Sequence, residues 1–81
     1  MTYRIETPAD LQAARLALGL SCADLADWLR LQGRNAGDTV RAMECGRKAI
    51  SGPVAVAIEQ GLENQRWAGD KFHALQRQLA A

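Results

Sequence analysis

The sequence predicts an all-α protein, a compact bundle of four to five short helices, from two observations. Ala and Leu occur 15 and 10 times among 81 residues, whereas the strand-forming Val, Ile and Thr occur three times each, which favours helices over strands. One capping pattern also occurs three times, because Thr7, Ser21 and Asn35 each precede an aspartate by three residues. A short polar side chain followed by an acid in the first turn is typical of a helix start.

The first two helices are expected to follow Thr7 and Ser21. Pro8 takes the first position of helix 1, where its missing N–H breaks no hydrogen bond, and Gly19 supplies the stop. Helix 2 is expected to end near residues 31 and 32, before the glycine that follows. The apolar spacing gives the inward faces, which are Leu11, Ala14, Arg15 and Leu18 in helix 1 and Cys22, Leu25, Ala26 and Leu29 in helix 2.

The remaining helices are bounded in the same way. Helix 3 is expected to start at Asn35 and to stop at Gly46, which allows it only about ten residues. Helix 4 follows the cap Ser51 with Pro53 in its first turn, and the terminal segment from Asp70 is expected to be a fifth helix. The expected stripes are Val54, Ala57, Ile58, Gly61 and Leu62 in helix 4, and Phe72, Leu75 and Leu79 in helix 5.

Composition excludes several classes of protein. Ten basic and nine acidic residues give a net charge of +1, which rules out a polycation that grips nucleic acid by bulk charge. No signal peptide and no run of roughly 18 apolar residues is seen, so no membrane contact is expected. Cys22, Cys45 and His73 lack the close pairs of a zinc site, so no metal or cofactor is expected. Only two cysteines also favour a reducing, cytoplasmic setting.

A helix-turn-helix unit consists of two short helices joined by a turn that contains glycine, and helices 2 and 3 have these features. The stretch from Leu11 to Leu62 resembles the Cro/CI-type, lambda-repressor-like helix-turn-helix family. The residues that carry the resemblance are Arg15, Leu18-Gly19-Leu20-Ser21, Leu25-Ala26, Thr39-Val40-Arg41-Ala42-Met43-Glu44 and Gly46-Arg47. The ending GPVAVAIE also resembles the segment after the motif in small regulators of phages and proteobacteria.

The resemblance implies a lambda-repressor-like bundle in which residues 1–64 form a DNA-binding domain. Residues 65–81 are then a C-terminal helix that either packs on the core or forms a dimer contact. Three features depart from the family pattern: Cys22 replaces the usual Gln, Arg30 stands where Gly is common, and about four residues, 32–35, are inserted. The insertion leaves the angle between helices 2 and 3 open.

Helical geometry sorts the residues of helix 3 into two faces. Val40, Met43 and Glu44 share one face, and its two apolar residues require that face to be buried. The opposite face is the one that a DNA major groove would receive. The expected base-reading residues are Asp38, Thr39, Arg41 and Ala42.

Arg41 is the expected principal reader, because its guanidinium can bond guanine O6 and N7 together. Ala42 is small enough for close approach to the DNA or for contact with a thymine methyl group. Asp38 has two interpretations, acceptance from cytosine N4 or a capping role alone, and the repeated capping pattern favours the second. Cations in loops typically bind phosphates without reading sequence, and the expected phosphate contacts are Arg30, Arg34, Asn35, Arg47 and Lys48.

Two further sets of residues have structural interpretations. In the resembled family an Arg and a Glu at the positions of Arg15 and Glu44 pair between helices 1 and 3, which predicts a structural ion pair here. Trp28 and Trp67 are expected in the core or on a dimer surface rather than stacked on bases. The candidate dimer contacts after helix 4 are Trp67, Phe72, Leu75 and Leu79, unless that segment folds back on its own core.

These observations predict a sequence-specific regulator that binds a palindromic double-stranded DNA operator as a homodimer, in the form of a repressor of its own promoter. The alternative is a protein-partner module on the same fold, such as an antitoxin, an anti-CRISPR-associated regulator or a phage DNA-packaging subunit. An enzyme is not expected, because His73 has no evident catalytic partner and no Gly-rich phosphate loop is present. Residues 30–48 carry a local net charge of +3, which leaves −2 for the rest.

Overall fold

The computed structural model describes residues 3–31 and 36–80, without the side chains of residues 66 and 80. This part of the chain forms five α-helices and no strand, which confirms the all-helical prediction. The helices are α1 (Pro8–Ala17), α2 (Cys22–Trp28), α3 (Ala36–Glu44), α4 (Gly52–Asn64) and α5 (Arg66–Ala80). They form a compact globule with a radius of gyration of 11.5 Å.

Helices α1 and α2 begin as the capping pattern predicts. The Thr7 hydroxyl accepts from the N–H of Asp10 at 3.2 Å, and the Asp10 carboxylate accepts from the N–H of Thr7 at 3.0 Å, which completes a capping box. The Ser21 hydroxyl accepts from the N–H of Asp24 at 3.0 Å. Ser51 occupies the N-cap position of α4, but its side chain accepts no capping hydrogen bond from the described residues. Ser51 therefore takes the predicted N-cap position without the capping hydrogen bond. Asn35 lies outside the described residues.

Helices α1, α2 and α3 all end in the same way. The residue after the last helical turn has a positive φ, which is 73° at Gly19, 59° at Arg30 and 80° at Gly46. The next N–H then bonds back to a carbonyl five residues earlier, at 3.1, 2.9 and 3.0 Å respectively. This is the Schellman ending, which normally requires glycine at the positive-φ position. Among the described residues Arg30 is the one non-glycine residue with a positive φ, at a cost of about 1 kcal/mol.

Two helix boundaries differ from the sequence prediction. Helix α2 ends at Trp28, not near residues 31 and 32, because Arg30 adopts the backbone conformation that was expected only of a glycine. Helix α5 begins at Arg66 rather than Asp70. Its early start is explained by Gln65, whose carbonyl accepts from the N–H groups of Ala68 and Gly69 and so begins a new helix directly after α4.

The core lies where α1 meets α3, α4 and α5. The most extensive helix contact joins α1 to α5, and α2 packs mainly on α3. The fully buried large side chains are Phe72, Leu11, Leu25, Ile58, Leu62 and Val40. Of the residues predicted to face inward in helices 1 and 2, half are buried and half are only half-buried. The half-buried ones are Arg15, Leu18, Cys22 and Leu29. Because Phe72 and Ala68 of α5 belong to the same cluster as Leu11, residues 65–80 pack on the core.

The segment before α1 and the helix α5 make specific contacts with the rest of the bundle. The N–H of Ile5 donates to Glu59 Oε2 at 2.9 Å, and the Tyr3 ring meets Phe72 edge-on with centroids 6.0 Å apart. A Cβ at Gly69 would overlap the Tyr3 hydroxyl, so a larger residue there would displace the Tyr3 ring. Gln76 of α5 donates to the Asp10 carboxylate of α1 at 2.8 Å.

Trp28 joins α2 to α4. A Cβ built at Gly61 would lie only 2.6 Å from the edge of the Trp28 ring, so the indole packs directly on the α4 backbone. Trp28 is nevertheless 41% exposed, and Trp67 is 53% exposed. Both tryptophans were predicted to lie either in the core or on a dimer surface. Neither lies in the core, so the first alternative is wrong.

Candidate nucleic-acid interface

Helix α3 presents two faces that match its sequence pattern. Val40 and Met43 are 0% and 2% exposed. On the other side Asp38, Arg41 and Cys45 are exposed, whereas Ala42 and Thr39 are half-buried. The face that points to solvent therefore carries an arginine between two residues with short side chains, Asp38 and Cys45. The small, partly buried Ala42 leaves the helix backbone close to the surface beside Arg41.

An ion pair fixes the opposite side of α3. Arg15 Nε donates to Glu44 Oε2 at 2.7 Å and Arg15 Nη2 donates to Glu44 Oε1 at 3.2 Å, so the pair is bidentate. Arg15 Nη1 donates to the Leu20 carbonyl at 3.0 Å. One α1 side chain thus holds both the turn that leads into α2 and the end of α3. The resemblance implied the second of these contacts.

The electrostatics of the pair follow from its burial. The side chains of Arg15 and Glu44 are only 15% and 9% exposed. Hydrogen bonds to Glu44 raise the pKa of Arg15 above its ordinary value, although burial opposes the shift. The guanidinium therefore stays charged throughout the accessible pH range, and α3 is held by a permanent charge.

Cys22 takes part in this arrangement, which the sequence did not indicate. Its thiol donates to Glu44 Oε2 at 3.7 Å, from the first residue of α2. Cys22 therefore links α2 to the same carboxylate that links α1 and α3. The signal that could have found it is its position directly after the Ser21 cap, at the start of α2.

An open groove of about 510 Å³ lies between α1, α2 and α3. Its lining includes Gln12, Ser21, Arg41 and Cys45. Gln12 was not singled out from the sequence, although it precedes Arg15 by three residues and so shares its face of α1. The groove places polar groups of α1 and α2 beside the exposed arginine of α3.

Exposed basic side chains lie on α3 and in the segments that follow α2 and α3. Arg30, Arg41, Arg47 and Lys48 are exposed. Within the part of the chain that the structure describes, none of these four side chains forms a hydrogen bond or an ion pair. The predicted contacts Arg34 and Asn35 lie outside the described residues. The free cations are thus concentrated in the segment that carries the local charge of +3.

The candidate dimer contacts are separated by the fold. Phe72 is 1% exposed, within the protein's own core, and Leu75 is half-buried. Phe72 therefore follows the alternative expectation, that this segment folds back on its own core, because α5 buries that side chain against α1 and Tyr3. Trp67 and Leu79 remain exposed, at 53% and 37%.

His73 does not form part of this surface. Its ring lies 5.2 Å from Tyr3 and 5.5 Å from Phe72, centroid to centroid, and its buried Nε2 has no hydrogen-bond partner among the described atoms. No group of three or more His, Cys, Asp or Glu residues in ranges 3–31 and 36–80 could hold a metal ion. None of the helices described is long and apolar enough to cross a membrane.

Comparisons of the chain with known protein families, with curated proteins and with solved structures return no match.

Proposed function

We propose that the chain is a sequence-specific double-stranded DNA-binding regulator that reads the major groove with α3. The observation that carries the proposal is the exposed Arg41, which stands opposite the buried Val40 and Met43 and has no partner among the described residues. A charged guanidinium left free on a helix that is rigidly attached by its other face is suited to bidentate recognition of guanine.

The surrounding charges support the same proposal. Arg47 and Lys48 follow α3 directly and are exposed without ion-pair partners in the described structure. Cations at that position can bind the phosphates that border the groove into which α3 would enter. The net charge of −2 on the rest of the chain disfavours other modes of attachment to DNA.

Selection of bound sites from random double-stranded DNA, followed by titration at several salt concentrations, tests the proposal. Arg41→Ala is expected to weaken binding to the selected site by about 1 to 3 kcal/mol and to relax preference at one base pair. Lys48→Ala is expected to weaken binding to all sequences and to lower the salt slope by about 1. Arg77→Ala, an exposed arginine on α5, is the matched control and should leave binding unchanged.

Two outcomes would overturn the proposal or its geometry. Recovery of no preferred sequence together with no salt-dependent binding would exclude a DNA regulator and favour the protein-partner module. Equal binding by wild type and Arg41→Ala would show that α3 does not enter the groove through this face.

A homodimer that represses its own promoter belongs to the same proposal, because two half-sites about one turn apart double the contact area of a single reading helix. Trp67 is the exposed side chain that best fits a dimer contact. Removing residues 65–81 would also remove Ala68 and Phe72 and expose the core residues that they cover, so a point change is the sharper test. Trp67→Asp is expected to yield monomers in light scattering, and a dimer that survives this change would exclude Trp67 from the contact.

A further inference from the structure

The ends of α1, α2 and α3 provide an internal comparison. All three have the same hydrogen-bonded Schellman ending and the same positive φ. Two of them use glycine, Gly19 and Gly46, which adopts this conformation freely. The third uses Arg30, whose Cβ makes the same backbone conformation unfavourable. The protein thus gives up stability at one of three equivalent positions.

The folded chain gains nothing in return that the structure describes. The Arg30 side chain is exposed, and it forms no hydrogen bond or ion pair with residues 3–31 or 36–80. Its backbone N–H bonds to the Asp27 carbonyl at 3.0 Å, a bond that glycine would make equally well. A strained residue whose side chain has no partner among the described residues points to a partner outside the protein.

The position of Arg30 indicates what that partner is. It is the first basic residue of the segment 30–48, which carries the local charge of +3, and it begins the connection from α2 to α3. A left-handed residue at this point directs the chain away from the α2 axis, and its guanidinium remains in solvent. An anionic group with planar oxygens, such as a phosphodiester, matches a free guanidinium.

We infer that Arg30 is a phosphate-binding residue of the nucleic-acid interface whose backbone strain lowers the stability of the free protein. This inference rests on the proposed function, because the phosphate belongs to the bound DNA. The inference predicts opposite effects on stability and on DNA binding. Relief of the strain should raise the melting temperature, whereas loss of the guanidinium should weaken binding.

Arg30→Gly tests both expectations in the full-length chain. Its melting temperature is expected to rise by a few degrees, and its affinity for the selected DNA site is expected to fall several-fold, with the salt slope lowered by about 1. Arg30→Lys keeps both the charge and the Cβ, so it should retain the melting temperature of wild type and most of its affinity. Arg30→Asn, which tolerates positive φ without a charge, should bind as weakly as the glycine variant.

Gly19→Arg is the reverse substitution at the end of α1. No described atom lies within 4 Å of a Cβ built at Gly19, so only the positive φ opposes the new side chain. This variant is expected to lose a few degrees of melting temperature without losing affinity, which separates the cost of the conformation from the role of the guanidinium.

Each outcome bears on a distinct statement. If wild type binds the selected DNA and Arg30→Gly binds it equally well, the inference is overturned while the proposed function stands. If Arg30→Gly melts no higher than wild type, the residue is not strained in the way inferred. If wild type binds no DNA in any assay, the proposed function and the inference that rests on it both fail.

Discussion

The half of the molecule built from α1, α4 and α5 differs from the half built from α2 and α3. In the first half, apolar side chains and small residues fill a shared interior that includes Leu11, Ile58 and Phe72. In the second half, each helix buries only two residues, Leu25 and Ala26 in α2 and Val40 and Met43 in α3. We refer to these as the apolar half and the α2–α3 half.

The two halves are also joined by specific contacts rather than by area alone. Arg15 of α1 holds Glu44 of α3, and the Trp28 ring of α2 packs on Gly61 of α4. An apolar contact tolerates small shifts, whereas a bidentate ion pair fixes direction as well as distance. The comparison teaches that most of the buried apolar side chains lie in one half, whereas the orientation of α3 depends on a bidentate ion pair with that half.

Phe72→Ala gives the largest expected effect. It removes a fully buried ring from the apolar half and should lower the free energy of unfolding by about 3 to 5 kcal/mol, measured by urea denaturation. Leu79→Ala on the same helix removes a side chain that is 37% exposed, and should cost much less. Similar losses of unfolding free energy in the two variants would contradict the view that Phe72 is packed in the core.

Glu44→Ala should lower the free energy of unfolding by about 3 kcal/mol, because it leaves the Arg15 guanidinium buried without its partner. Replacing both partners, with Arg15→Met and Glu44→Leu, should recover much of that loss, since no orphaned charge remains. DNA affinity should not recover in the double variant, because the direction of α3 is no longer fixed. An unchanged melting temperature in Glu44→Ala would show that the ion pair does not stabilise the fold.

Ser21→Ala and Ser51→Ala compare helix starts in the two halves. The Ser21 hydroxyl caps α2, so its loss should cost about 1 kcal/mol. Ser51 makes no side-chain cap to the described residues, so its replacement should change the unfolding midpoint little. Equal effects in thermal denaturation would mean that both hydroxyls cap their helices in solution.

Asp10 gives the smallest expected effect and introduces pH dependence into the apolar half. Burial tends to raise its pKa, but hydrogen bonds from Gln76, Thr7 and Glu6 outweigh burial and hold the pKa below its ordinary value. The ionised Asp10 therefore stabilises the fold fully at pH values above the ordinary pKa of an aspartate. This stabilisation is lost as the pH falls through the lowered pKa of the folded protein. Unfolding measured from pH 6 to pH 2 should show less acid destabilisation in Asp10→Asn than in wild type, whereas parallel curves would show that Asp10 does not contribute.

The features that the sequence predicted well are those set by neighbouring residues. The starts of α1 and α2 and the ends at Gly19 and Gly46 depend on local hydrogen bonds and backbone preference. The end of α2 was missed because Arg30 adopts a conformation that its residue type disfavours. No spacing rule indicates such an exception.

Features that depend on packing between distant residues were predicted less well. The burial of Phe72 depends on α1 and Tyr3, and the exposure of Trp28 depends on how closely its ring fits Gly61. On the candidate site, the periodicity of α3 correctly placed Val40 and Met43 inside and Arg41 outside. The contact of Cys22 with Glu44 required the relative position of two helices, which periodicity does not give.

The contact of Trp28 with the α4 backbone also provides an optical probe. The chain has two tryptophans, and each half of the molecule carries one of them, Trp28 in α2 and Trp67 in α5. A Trp67→Phe variant would leave a single tryptophan whose emission reports on the junction between the halves. Release of the indole from Gly61 would expose it to water and shift its emission to the red, so detachment of α2 could be followed separately from global unfolding.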